Sequence, residues 1–361
     1  MRSRAPTLNQ VAALAGVSHQ TVSRVLNHHA NVSANTRARV LAAIHQLDYQ
    51  PNTAARTLVT DRSQTIGLIT FDGTLAGPSS IVWAIQQAAR QAGYFVSIAN
   101  VPPSDASSIQ DAVTRLRQQR VDGILSFTPT TTARTALRDV PSAIPLVAIG
   151  ATTPSRAIGP PTVGIDNRAG AALATRHLLA LGHHTVHHVA GPPDCPEASE
   201  RTTGWRHALR AAGRPVPQAR TGDWSAASGY RAGELLIADR SVTAIFCGND
   251  QMAIGVLHAL HASGRSVPGN VSVVGFDDLP ETAFLLPPLT TIRHDFAEIG
   301  RRSIHLLIRQ ITDDVRNLTI PTAISPRLVV RSSTAPPPVS SSNVCRSAAC
   351  LTRPESARHS T

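Results

Sequence analysis

The chain contains no lysine, so all 34 of its basic residues are arginine, a skew that a coding preference accounts for and that carries no functional argument. Cysteine is scarce as well. Cys195, Cys247, Cys345 and Cys350 stand apart without a CxxC pair, which argues against a zinc site and a disulfide framework and leaves reduced thiols as the expectation. No run of about 20 apolar residues occurs, so a membrane-spanning helix is not expected. Met1-Arg2-Ser3-Arg4 leads into polar sequence rather than the apolar core of an export signal, which points to a cytoplasmic location. Gly-rich phosphate loops, HExxH and GxSxG strings are also missing, so nothing specific supports an enzyme, and neither a cofactor nor a metal is expected.

What is present is enough apolar material for globular cores: 42% of the residues are hydrophobic and 16% charged. At 361 residues the chain exceeds what one core usually supports, so a small domain beside a large two-lobed one is the natural division. The formal net charge is +11, which suits a polyanionic partner. Residues 1–62 carry seven arginines against Asp48 and Asp61, a net of +5 on about a sixth of the chain.

In that segment Leu8, Val11, Ala12 and Ala15 recur at helical spacing, and the pattern stops at Gly16, a residue free to turn at positive φ. Ser18 has the chemistry of an N-cap, and Val22, Val25 and Leu26 mark the buried side of a second helix. His19, Gln20, Thr21, Ser23 and Arg24 lie off that stripe and offer donors and acceptors suited to base edges and phosphates. Ser33 caps a third helix whose apolar residues Val40, Leu41, Ile44 and Leu47 complete a three-helix core. A plain helical bundle with a solvated polar face fits this pattern equally well.

The literal strings are more specific. Thr7-Leu8-Asn9-Gln10-Val11-Ala12, Ala15 through Asn27, and Val32-Ser33-Ala34-Asn35-Thr36-Arg37 closely resemble the DNA-binding domain of the LacI/GalR family of transcriptional regulators. Tyr49-Gln50-Pro51-Asn52 and Ala54-Ala55-Arg56-Thr57-Leu58 look like the family's hinge helix, which implies a segment that orders on operator DNA and inserts Leu58 into the minor groove. The resemblance implies DNA contacts from Thr7, Leu8, Ser18, His19, Gln20, Thr21, Ser23, Arg24, Asn27, Asn31, Val32, Ser33, Thr36, Asn52, Ala55 and Leu58.

From Gln64 onward, short β-rich runs (65–69, 95–98, 121–125, then 185–190, 244–247 and 272–276) alternate with amphipathic helical stretches, the rhythm of parallel sheets with flanking helices. Ligands in such folds bind at the carboxyl ends of the strands, and a cleft between two lobes can close over them. Gly191-Pro192, Arg201 with Gly204-Trp205, Gly248-Asn249-Asp250 and Phe276-Asp277-Asp278 continue the resemblance through residue 332. It implies a bilobal domain like the periplasmic binding proteins, holding a saccharide through Arg201, Asn249, Asp277 and His294, with Trp224 and Phe296 as flat apolar faces and Pro78 and Ile81 as part of the wall. Asn249 also stands where a helix N-cap would, Trp224 where a core residue would, Arg201 within reach of Glu197 or Glu200, and Asp277 where a loop cap would. A galactoside-responsive member of the family has an acidic residue where this chain has Gly150, a glutamine at His294 and an asparagine at Phe127. These departures weaken the case for a galactoside in particular and leave a saccharide as the expected effector.

The run from His183 to His188 reads as surface histidines rather than a metal site, and Asp277-Asp278, taken as neighbours on a strand, point to opposite faces and cannot flank one bond. The end of the chain is rich in Ser and Pro and lacks leucine heptads, so residues 333–361 are expected to be disordered and the assembly to be a homodimer. The expected architecture is an all-α helix-turn-helix domain over 1–48, a hinge over 49–63 and an α/β effector-binding domain over 64–332. It implies a regulator, most simply a repressor released by its effector, whose partners are operator DNA, a small saccharide and a second copy of itself; the alternatives are a corepressor-dependent regulator of the same family and, from a different class, a sugar-binding transport protein, for which an export signal would be expected.

Overall fold

The computed structural model describes residues 6–26, 29, 31–50, 62–71, 76–102, 105–140, 144–152, 160–313 and 323–338. The chain divides into two compact units, Met1–Ser63 and Gln64–Thr361.

In the first unit three helices, α1 (Leu8–Ala15), α2 (His19–Leu26) and α3 (Ala34–Gln46), surround one small core. Helices of eight residues are marginal in isolation, so packing must hold them. Val11, Val22 and Val40 are fully buried, each contributing about 1.5–3 kcal/mol by removal from water. Thr7 opens α1 with a capping box: its hydroxyl accepts from the Gln10 amide at 3.4 Å while its own N–H reaches Gln10 Oε1 at 2.8 Å. Gly16 ends the helix at φ 63°, a left-handed conformation that suits glycine and turns the chain into α2. Two expectations change here. Leu41 is 52% exposed, because the inward face of α3 runs through Val40, Ala43, Ile44 and Leu47 and position 41 lies about 100° around from Val40. Tyr49, assigned from sequence to the hinge, belongs to this core: it is buried and its N–H bonds the Ile44 carbonyl at 3.0 Å. The remainder of the expected hinge helix, 51–61, lies outside the described residues.

The second unit holds two parallel sheets. The first contains β1 (Thr65–Thr70), β2 (Phe95–Asn100), β3 (Gly123–Phe127), β4 (Leu146–Ile149), β5 (Thr162–Ile165) and β11 (Ala323–Ile324), in the order β11-β5-β4-β3-β1-β2. Ile66 pairs with Val96 on one side and Gly123 on the other, and Ile124 with Leu146. The second contains β6 (His187–Ala190), β7 (Arg220–Thr221), β8 (Ala244–Cys247) and β9 (Ser272–Val274), in the order β7-β6-β8-β9. All five residues of β3 and all four of β8 are buried, as expected for central strands covered by helices on both faces. Helices α4 (Ala76–Gln91), α5 (Ala106–Gln118), α6 (Thr131–Ala136) and α11 (Phe296–Asp313) belong to the first lobe. Helices α7 (Asn167–Ala180), α8 (Pro196–Ala211), α9 (Ala226–Ile237) and α10 (Asp250–Ala262) belong to the second. The chain passes between lobes after β5, again between β10 (Thr291–Arg293) and α11, and finally between β11 and β12 (Arg327–Val329), which pairs antiparallel with β10. Three crossings make a hinge around which a cleft can open and close.

The first residues of the expected tail are held in place. Residues 333–338 are described and docked rather than disordered: Ser333 is fully buried, its Oγ donates to the Val273 carbonyl at 2.6 Å and accepts from Thr290 N at 2.8 Å. The segment adds to the β9 edge, with Val273 N donating to Ser333 O at 2.9 Å. Unpaired β-edge groups and a serine that satisfies two of them explain why so polar a stretch is held. Residues 339–361 lie outside the described set. The histidine run is also reassigned. His183 and His188 are buried, not surface: His183 bridges Thr243, Ser272 and the Ala335 carbonyl, while His188 bonds the Phe246 carbonyl at 2.9 Å and stacks on the Phe246 ring. Among the described residues no helix is long and apolar enough to cross a membrane.

Candidate functional site

In the small unit the three helices leave the outer face of α2 in solvent. His19, Gln20 and Arg24 are exposed and Thr21 and Ser23 half-buried, while Val22 and Val25 hold the opposite face in the core. Ser18 and Ser33 are caps: Ser18 Oγ accepts from Thr21 N at 3.2 Å and Ser33 Oγ from Thr36 N at 3.3 Å. The N-termini of α2 and α3, like that of α1 at Thr7, therefore carry polar side chains beside backbone N–H groups, the usual dipole arrangement for phosphate. Arg37 ties down the intervening loop by donating to the His29 carbonyl at 2.8 Å. Leu8 and Val32 lie half-buried against the core, and Asn31 is exposed. Asn27, Asn52, Ala55 and Leu58 lie outside the described residues.

In the large unit, the polar groups expected from sequence converge between the lobes. Arg201, on α8, is only 8% exposed. Its Nε donates to Asn167 Oδ1 at 2.9 Å, its Nη1 donates to the Gly248 carbonyl and lies 3.6 Å from Asp277 Oδ1, and its guanidinium sits 3.8 Å above the Phe276 ring and 5.3 Å from the Trp224 ring. Three anchors and two aromatic faces fix a planar fork that water alone would leave free to rotate. Arg201 thus pairs with Asp277, the alternative partners Glu197 and Glu200 notwithstanding; Glu200 accepts from Asn167 Nδ2 at 3.1 Å.

Asp277 and Asp278 lie just past the end of β9, at φ 117° and 58°, outside the regular strand expected for them, with Asp277 in an isolated parallel bridge to Arg293. The divergence of their carboxylates survives for that different reason: Asp278 turns to Arg293 and Arg331, at 2.5 and 2.6 Å, and Asp277 turns to Arg201 and His294. His294 Nε2 stands 2.9 Å from Asp277 Oδ1. Burial pushes the His294 imidazole down, against the opposing pull of Asp277, so the neutral ring donates from Nε2 and keeps a lone pair on Nδ1. That Nδ1 is buried and has no hydrogen-bond partner. Phe296 packs beside the ring at 5.5 Å between centroids and opens α11.

Asn249 serves as an N-cap as well as standing in the cleft. Its Oδ1 accepts from Met252 N at 2.9 Å, opening α10, and its Nδ2 donates to the Trp224 carbonyl at 3.0 Å. Trp224 is half-buried at φ 74°. From the first lobe, Pro78 and Ile81 are half-buried on α4, and a Cβ placed on the adjacent Gly77 would lie 3.9 Å from Asp277 Oδ2, so the N-terminus of α4 faces that carboxylate.

Two residues joined the site only in three dimensions. Asn167 opens α7 and holds Arg201. Glu197 stands one turn before Arg201 on α8, and a Cβ on Gly150 would lie 2.9 Å from its Oε1. The four-residue spacing places Glu197 and Arg201 on one helix face, a signal available from sequence once the helix is assumed.

A capped helix pair with an exposed polar face, joined in one chain to a two-lobed domain whose charged groups converge in a cleft, defines a ligand-responsive DNA-binding regulator. Residues 7–52 match the model of bacterial regulatory proteins, lacI family, and residues 175–334 that of the periplasmic binding protein-like domain. The chain is 37% identical over 310 residues to the lactose operon repressor of Escherichia coli K12, covering 84% of each chain. It is 34% identical to the ribose operon repressor of the same strain, over 85% of this chain and 93% of that one. A lac repressor dimer bound to operator and the anti-inducer ONPF superposes with a TM-score of 0.81 at 34% identity, covering 92% of this chain and all of that one. The chain belongs to the lacI family of bacterial transcriptional regulators, with its helix-turn-helix unit and periplasmic-binding-protein-like domain.

Proposed function

We propose that this regulator is a cytoplasmic repressor that holds a pseudo-palindromic operator as a homodimer and releases it when a saccharide occupies the interlobe cleft. The single observation that carries the effector half of this reading is the Arg201–Asp277–His294 cluster, buried between Phe276, Trp224 and Phe296. A fork of donors beside a carboxylate suits vicinal hydroxyls, and flat aromatic faces suit the apolar side of a sugar ring. It is the chemistry of binding and not of turnover, so no enzymatic role is assigned. In the DNA-reading half, His19, Gln20, Thr21, Ser23 and Arg24 read base edges and phosphates in the major groove, and Leu58 wedges the minor groove. The lobes and their three crossings form the two-state element: a saccharide that prefers one arrangement by about 1–3 kcal/mol changes operator affinity roughly 5- to 150-fold.

The test is a fluorescence-anisotropy titration of the full chain on the intergenic DNA beside its own gene, at fixed salt, with and without a panel of sugars including lactose and ribose. Specific binding that one sugar weakens supports the reading. Tightening by a sugar reverses the sign of regulation, and binding no better than to random DNA, unchanged by every sugar, overturns it.

A further inference from the structure

Beside the Arg201 Nη2 group, the polar atoms that converge in the cleft include several acceptors. Arg201 spends its Nε on Asn167 and its Nη1 on the Gly248 carbonyl and Asp277, and its positive charge is met by that carboxylate 3.6 Å away. Facing it are the buried, unpartnered Nδ1 of His294, the Asp277 carboxylate and a second carboxylate, Glu197. Glu197 belongs to the second lobe but reaches the end of β4 in the first, where the missing side chain of Gly150 leaves room: its Oε1 occupies space that a Cβ at 150 would need, 2.9 Å away. The Cys195 thiol donates to its Oε2 at 3.3 Å and so orients the carboxyl with Oε1 toward that space. Here the lobes also touch, Thr131 N donating to the Asp194 carbonyl at 3.1 Å. Two carboxylates and an imidazole acceptor stand against two guanidinium groups, Arg201 beside Asp277 and Arg134 acting on Glu197, so the positive charge near the cleft is already offset by resident carboxylates while acceptors remain.

We propose that the effector of this regulator is an uncharged, hydroxyl-rich saccharide, that phosphorylated and carboxylated sugars are excluded, and that Glu197 is the residue that enforces the exclusion. The proposal rests on the saccharide reading above and narrows it. A hydroxyl donates to an acceptor wherever one stands, whereas a phosphate ester brings two negative charges and no donor against Glu197 and Asp277 in a partly desolvated space. Burial holds the Glu197 carboxyl above the usual carboxylate range, with Arg201 and Arg134 partly opposing this, so a further negative charge beside it is opposed by burial as well as by repulsion.

The experiment is a titration of the full chain by calorimetry and by intrinsic tryptophan fluorescence with glucose, ribose, lactose and cellobiose, each beside its terminal phosphate ester, and with glucuronate, repeated on Glu197→Gln and Glu197→Asp. The expected result is that at least one neutral sugar binds and its phosphorylated form binds at least 100-fold more weakly. Glu197→Gln should shrink that ratio about tenfold while its thermal melt stays that of the parent, and Glu197→Asp should keep it. A phosphorylated sugar binding the parent as tightly as its neutral form overturns the exclusion. A ratio unchanged in Glu197→Gln overturns the role of Glu197. No binding of any sugar by the parent overturns the saccharide reading itself, an outcome distinct from the other two.

Discussion

On α2 of the small unit, His19, Gln20 and Arg24 stand in solvent, held in place only by a cap at each helix start and by valines on the far face. In the cleft of the large unit, Arg201, Asn249 and His294 are 8%, 5% and 6% exposed, and each is fixed by hydrogen bonds or rings from several elements. The difference follows from the partners. A polyanion supplies its own water-borne charge and meets side chains on a surface, where they cost nothing to keep solvated. A small neutral ligand must be surrounded, so its partners have to be desolvated in advance and compensated by one another. Removing a functional residue should therefore cost the small unit affinity and the large unit both affinity and stability.

The sharpest way to break this contrast is Arg201→Ala. It leaves the half-buried Asp277 beside His294 without the Arg201 cation, a desolvated charge whose loss of partner costs up to about 3–5 kcal/mol. For a unit of this size the melting transition should fall by roughly 10 °C, with sugar binding lost, and Asp277→Asn in the same chain should restore part of the transition. Differential scanning calorimetry that resolves the two units checks this. A melt of the large unit unchanged by Arg201→Ala would show that the cluster is not a desolvated pair.

The second way is pH. His188 is fully buried and burial pulls its imidazole down to about 4, with the Phe246 carbonyl and Arg201 acting against each other as smaller influences. A group whose folded value lies below its unfolded value of 6.5 contributes stability that is complete above pH 6.5 and is lost as the pH falls toward 4. The span of that window corresponds to about 3 kcal/mol. Asp250 has the opposite sign: burial, reinforced by Asp277, raises it to about 8, so its contribution is complete below its unfolded value and is lost as the pH rises through 8. Between about pH 4 and 6.5 the two slopes oppose and offset each other, and from 6.5 to 8 the Asp250 slope acts alone, so these two groups favour the mildly acidic side of neutrality. His188→Asn, whose amide can still donate to the Phe246 carbonyl, should change the slope between pH 6.5 and about 4.5 by one proton, the variant gaining on the parent as the pH falls. Unfolding midpoints of the large unit measured from pH 7.5 to 4.5 decide it; parallel acid limbs in parent and variant would remove His188 as the cause.

Much of this was legible in the residues and some was not, for physical reasons that differ between the units. Local signals served the small unit: the valine spacing, Gly16 and the Ser18 and Ser33 caps all act within one or two turns. Leu41 and Tyr49 were misplaced because the exact face of a short helix, and the point where a core stops, depend on what packs against it. In the large unit the β-rich runs and Arg201, Asn249 and Asp277 could be marked, yet their connections could not. Arg201 reaches Asp277 across 76 positions, and Glu197 fills a gap left by Gly150 in the other lobe. The buried state of His183 and His188 was missed because a run of histidines carries no periodicity that separates inward from outward. The docking of Ser333 was missed because composition describes a polar tail but not an open sheet edge waiting beside it.

The smallest expected effect separates two roles for one atom. Ser18 was marked as a DNA contact, and in the structure its Oγ accepts from Thr21 N at 3.2 Å and sits 3.0 Å from Thr21 Oγ1, the duty of an N-cap. Ser18→Ala removes the acceptor and should cost the small unit about 1 kcal/mol, leaving the large unit's melt untouched. Operator affinity should fall about fivefold through fraying of α2, if that energy is lost in full from the bound state. Ser18→Gly distinguishes the roles, because glycine at an N-cap costs only a few tenths of a kcal/mol. If the hydroxyl matters only as a cap, Ser18→Gly retains both the melt and the operator affinity. If it also holds a phosphate, the melt is retained while the affinity falls, and an anisotropy titration run beside the calorimetry reads the difference directly.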